Sequence, residues 1–149
     1  MIALMNFFNH PKEYAVAYAG MPVTDLSFRL KQKEAPYREL FSAPYHIGKT
    51  LEADPDEYSR RSPVAYAAKL ERPLLIHAVT NDEDVSQAEV ERLVTALRNS
   101  KKEFEYKVYT NAPGGHAFNK LDTAEARASR LEIYRFFAKY LKPPKPQEK

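Results

Sequence analysis

Residues 73–100 (PLLIHAVTNDEDVSQAEVERLVTALRNS) decide the fold. Pro73–Thr80 is a continuous apolar run with no polar alternation, and a run of that length fits a strand buried on both faces, as parallel strands are. Asn81–Val85 is a short polar loop. Ser86 and Glu89 then stand in the S-x-x-E spacing of a capping box, which predicts a helix from there to about Ser100. Val90, Leu93, Val94 and Leu97 share one face of it. A buried strand, a short loop and an amphipathic helix form the first half of a parallel crossover unit.

Reading outward from it, Phe104–Thr110 (FEYKVYT) predicts the next strand, and its alternation places it near a sheet edge. The loop Asn111–His116 (NAPGGH) follows. Thr123 to about Leu141 predicts the last helix, with Leu131, Tyr134, Ala138 and Leu141 as its core stripe and Pro143-Pro144 beyond its end. Upstream, Met1 to about Asn9 reads as an apolar helix stopped at Asn9-His10-Pro11, and Tyr14–Ala19 (YAVAYA) as a buried strand closed by Gly20 and Pro22. Residues 24–62, with prolines at 36, 44 and 55, predict short helices and loops; Ser62 then caps a helix over Pro63–Leu70. The class is α/β, with about three parallel strands and flanking helices in one unit over residues 1–142. The proline-rich end at 143–149 reads as a flexible tail. Three strands make a thin sheet, which should lack neighbours on one side.

Composition closes several routes. Net charge is +3 with acids and bases interleaved, and the only dense basic cluster is the Lys142–Lys149 end, so no nucleic-acid face is expected. Cysteine is absent, which removes disulfides, thiolate metal sites and a cysteine nucleophile. No apolar run reaches the roughly 18–20 residues of a membrane span. The opening MIALMNFF has no preceding basic residue and no cleavage site after it, so it is not a signal peptide, and the compartment is left open. A chain that is fully apolar from its first residue predicts that further sequence precedes it. His10 and His46 have no partners at ligand spacing, and His77 reads as a core histidine, so no metal or cofactor is expected. Phe7, Phe8, Tyr14, Tyr18, Phe136 and Phe137 read as core.

The polar residues that could do chemistry fall in the two loops after the second and third strands. In open α/β sheets, catalytic groups gather beyond the carboxyl ends of the strands. Thr80–Val85 offers Asp82, Glu83 and Asp84; Asn111–His116 offers His116 behind two glycines. An acid and then a histidine in successive strand-end loops follow the chain order of an α/β-hydrolase triad. A serine hydroxyl needs a histidine to take its proton, and a carboxylate to hold that histidine in the productive tautomer.

The segments PLLIHAVTNDEDV and YKVYTNAPGGHAF resemble the acid and histidine segments of the prolyl oligopeptidase family. HPKEYAVAYAGMPVTDL resembles that family's segment after the nucleophile helix, and DEYSRRSPVAYAAKLERPLLI its Tyr-x-x-x-Ser-Pro stretch. The four segments stand in the family's order and cover nearly the whole chain. The resemblance implies part of an α/β-hydrolase catalytic domain, with Asp82 as triad acid, three positions before Val85, and His116 as general base. Asp84 is the alternative acid, since the loop is about one residue longer than in many members; Glu83 is expected to face solvent.

The resemblance also exposes a departure. The family's Gly-x-Ser-x-Gly elbow is missing: the only glycines are at 20, 48, 114 and 115, and none brackets a serine. The expected function is therefore a C-terminal fragment of a serine peptidase or hydrolase, inactive alone, whose complete form takes a peptide or ester substrate. The alternative is a non-catalytic α/β binding or assembly module derived from such a hydrolase. Either form has an exposed sheet edge through which it could self-associate.

Overall fold

The computed structural model describes residues 1–142, and the expected tail at 143–149 lies outside them. Along the chain run α1 (Ile2–Asn9), β1 (Ala17–Gly20), α2 (Leu26–Lys31), α3 (Ala35–Ser42), α4 (Pro55–Arg60) and a 3-10 helix (Pro63–Lys69). They are followed by β2 (Leu74–Val79), α5 (Gln87–Asn99), β3 (Glu105–Tyr109), a second 3-10 helix (Gly115–Lys120) and α6 (Ala124–Leu141).

The strands form one parallel sheet in the order β1-β2-β3. Every residue of central β2 is buried, which accounts for its unbroken apolar run. β3 is half exposed, as its alternation implied, and among the described residues no strand covers the outer edge of β1 or of β3. β1 begins later than the sequence suggests. Tyr14–Val16 only approach the sheet, and the first bond is donated by the Ala17 amide to the Pro73 carbonyl.

Side chains alternate across the sheet and so define two cores. On one face Leu74, Ile76 and Ala78 meet Leu4, Phe7 and Phe8 of α1 and the predicted stripe Val90, Leu93, Val94 and Leu97 of α5. Burying each large aliphatic side chain there contributes about 1.5–3 kcal/mol. On the other face Leu75 packs on Ile133 and Phe136 of α6, and Val79 packs with Phe118 and Ala126.

Four expectations need correction. The core stripe of α6 is Ala126, Ser129, Ile133 and Phe136, whereas Leu131, Tyr134, Ala138 and Leu141 face outward. Both sets have helical spacing, so periodicity alone could not choose between them; the buried one sets Ser129 against His77 and Ile133 and Phe136 against Leu75. Ser62 does not cap the segment after it, which is a 3-10 helix rather than an α-helix. Its hydroxyl donates to the Tyr58 carbonyl and accepts from the Leu26 amide, tying α4 to α2. The capping box is only half made: Ser86 Oγ accepts from the Glu89 amide, but the Glu89 carboxylate turns away to Thr24 and Arg29. Tyr14, read as core, is exposed.

Candidate functional site

β2 and β3 end side by side, so the loops that follow them emerge together. They are stitched to one another: the Asn111 amide donates to Thr80 Oγ1 (2.9 Å), and Asn81 Nδ2 donates to the Ala112 carbonyl (3.1 Å). Gly114 (φ +82°) and Gly115 (φ +49°) both occupy the left-handed region. A Cβ on Gly115 would lie 2.7 Å from the Asn81 carbonyl oxygen, so only glycine lets the histidine loop rest on the acid loop.

Asp82 is anchored before it meets anything else. Its Oδ1 accepts the backbone amides of Asp84 (2.9 Å) and Val85 (2.8 Å), while buried Val85 pins the loop to the core below. The carboxylate has no solvent exposure, and its Oδ2 lies 2.8 Å from His116 Nδ1. A carboxylate only accepts, so Nδ1 bears a proton, and in the neutral ring Nε2 is the nitrogen with the lone pair. The ring is about half exposed and borders a cavity of about 520 Å³ beyond the ends of β1 and β2, lined also by Met1, Leu4, Met21 and Asn119.

Asp84 takes a different place. Its carbonyl accepts from Arg29 Nη1 (2.9 Å) and Lys33 Nζ (3.0 Å), its Oδ1 is paired with Arg29 Nη2, and its Oδ2 stands 3.8 Å from His116 Nε2. Partial burial pushes its carboxyl up, but the Arg29 hydrogen bond and the positive charges around it outweigh this and hold it below the ordinary aspartate range. Glu83 is exposed, as expected.

Arg29 is the residue that sequence reasoning missed. It lies in α2 within the segment read as short helices and loops, yet it is 3% exposed and holds three elements at once. It bonds Asp84, Glu89 Oε2 of α5 (3.1 Å) and the Tyr37 hydroxyl of α3 (2.9 Å). Its partners are up to 60 residues away, and no local motif marks them.

His77 is fully buried in β2, as the sequence suggests, and burial pushes its imidazole down to about 4 from 6.5. A histidine held neutral stabilises the fold fully above about pH 6.5, and that contribution is lost as pH falls toward 4. The loss should be on the order of 2–3 kcal/mol. Urea unfolding at neutral pH and near pH 4 should show it in the natural chain and not in His77→Gln. An equal loss in both would remove His77 as its source. His10 and His46 are exposed and stand apart from this site.

The model of the prolyl oligopeptidase family matches residues 1–144. The chain belongs to the prolyl oligopeptidase family. The fold agrees, as that of part of an α/β-hydrolase domain. Porphyromonas gingivalis dipeptidyl peptidase 4 superposes with a TM-score of 0.69 at 20% identity, over 90% of this chain and 17% of that one. The uncomplexed Pyrococcus horikoshii acylaminoacyl peptidase gives 0.75 at 13% identity, over 99% and 23%. A Mycobacterium tuberculosis puromycin-hydrolyzing peptidase gives 0.66 at 19%, over 91% and 20%. This prolyl oligopeptidase-family chain thus spans about a fifth of the length of the solved structures it resembles. No curated protein matches it.

Proposed function

We propose that this chain supplies the acid and the base of a serine peptidase's catalytic triad. The observation that carries the reading is Asp82 Oδ2 at 2.8 Å from His116 Nδ1, with the ring bordering a cavity at the strand ends. His116 Nε2 takes the proton of a serine hydroxyl as it attacks a carbonyl, then returns it to the leaving group; Asp82 keeps the ring in that tautomer and stabilises the imidazolium. The serine and its Gly-x-Ser-x-Gly turn are not in this sequence, so the 149-residue chain alone is inactive. The bond attacked is an amide or ester, and the peptidase names of the structural neighbours support a peptide.

The test is covalent labelling. Joined to an upstream segment carrying Gly-x-Ser-x-Gly, the chain should react with a serine-directed fluorophosphonate, while the chain alone should not. His116→Ala should abolish labelling of the joined protein, and undiminished labelling of that variant would overturn the assignment of the base. Self-association through the uncovered edge of β1 belongs to the same reading, since an unpaired parallel edge is a template for another strand. Light scattering on the purified chain should give a mass above the monomer; a strictly monomeric mass refutes it.

A further inference from the structure

Beneath the loop that carries His116, between the sheet and α6, polar side chains form a line in an otherwise apolar layer. His77 Nδ1 lies 3.3 Å from the Tyr18 hydroxyl of β1 and 3.3 Å from Ser129 Oγ of α6. Its Nε2 makes no hydrogen bond and faces Glu132 Oε2 at 3.5 Å. A neutral imidazole carries one proton, and the Glu132 carboxylate favours that proton on Nε2, which leaves Nδ1 as an acceptor. An acceptor Nδ1 lets the Tyr18 hydroxyl donate to His77 and keep its own lone pairs free. One of them accepts from Asn119 Nδ2 at 2.8 Å.

Asn119 belongs to the same 3-10 helix as His116, three positions later. With three residues per turn, positions 116 and 119 stand on one face of that helix, and both border the same cavity. The sequence makes room for the contact: a Cβ on Gly20, two residues after Tyr18 on the same face of β1, would collide with the Tyr18 hydroxyl. Arg130 Nη1 clamps the far end of the helix through the carbonyls of Asn119 (2.7 Å) and Leu121 (2.9 Å). Asp82 alone holds His116 by one bond to one ring nitrogen. The backbone beneath the ring needs a separate anchor, and a one-ångström displacement of a catalytic group is costly.

We propose that Asn119 and Tyr18, seated on His77, are positioning residues for the catalytic base: they lock the helix bearing His116 to the sheet. The inference rests on the reading of His116 as that base. Its test is the Nδ1 proton of His116, followed by NMR in the 149-residue chain labelled with 15N-histidine. In the natural chain that proton should be a downfield resonance protected from exchange and lost in Asp82→Asn.

Tyr18→Phe removes only the hydroxyl, and Asn119→Ala removes the other partner. Each should speed exchange of the His116 proton by at least about tenfold with the far-UV circular dichroism unchanged. Ser129→Ala deletes the other hydroxyl on His77 without touching the helix and should leave the proton as it was. A protected resonance indifferent to both Tyr18→Phe and Asn119→Ala overturns the positioning role alone. An effect of Ser129→Ala as large as theirs also overturns it, assigning the change to packing around His77. Absence of the resonance from the natural chain removes the Asp82–His116 pair itself, and the proposed function with it.

Discussion

Asp82→Asn, in the chain joined to a nucleophile segment, is expected to lower kcat/KM by about 10⁴ while leaving stability nearly unchanged. The reason lies in how Asp82 is held. Its Oδ1 is claimed by the amides of Asp84 and Val85, both donors. An asparagine there must turn its carbonyl oxygen toward those amides, because its NH₂ cannot accept from them. The NH₂ then faces His116 Nδ1 and donates to it. Nδ1 becomes the acceptor, the ring proton moves to Nε2, and the nitrogen that should take the serine proton is already protonated. The side-chain shape and the two loop hydrogen bonds survive, so the fold does not suffer. Asp84→Asn should cost less than about tenfold, because Asp84 bonds neither ring nitrogen at hydrogen-bond distance. Steady-state rates on an ester substrate check both variants. A larger loss at Asp84 than at Asp82 would transfer the role of the acid to Asp84.

The elements around Asp82 and His116 were legible because their signals are local. A continuous apolar run such as 73–80 has few alternatives to a central parallel strand, and β2 is buried at every position. Paired glycines before a histidine signal a turn that only glycine can make, and the close approach of Gly115 to Asn81 bears this out. The order of acid and histidine brought Asp82 and His116 to consecutive loops, and parallel pairing of β2 with β3 brought them within 2.8 Å. What stayed hidden depends on distant partners. α6 carries two apolar stripes, and only the identity of the facing layer, with His77 beneath Ser129, selects between them. Glu89 sits where a capping box wants it, yet a buried arginine 60 residues earlier offers the stronger partner. Residues 24–62 could be read only as short helices and loops because their own core of Leu26, Leu30 and Tyr58 is small and irregularly spaced.

That arginine carries the second large effect. Arg29→Met should destabilise the chain by about 3–5 kcal/mol, a large part of the 5–15 kcal/mol that holds an ordinary domain. Glu89 is 2% exposed, and burial already raises its carboxyl above the usual range despite the Thr24 amide and Arg29. Without the guanidinium, an uncompensated carboxylate stays in the core and the loop bearing Asp84 loses its bond to α2. A raised carboxyl stabilises the folded state at low pH, and that contribution is lost as pH rises through the folded-state value. The variant should therefore be weakest at neutral pH and recover as the medium is made acid, opposite in sign to the slope that His77 produces. Arg29→Met combined with Glu89→Gln should regain most of the loss at neutral pH, because the amide can still accept from Thr24 and no charge remains buried. Urea unfolding of the two variants across pH measures both. If the double variant is no more stable than Arg29→Met alone, the damage comes from the lost bonds to Asp84 and Tyr37, and Arg29 is then an anchor for the acid loop rather than a counter-ion for Glu89.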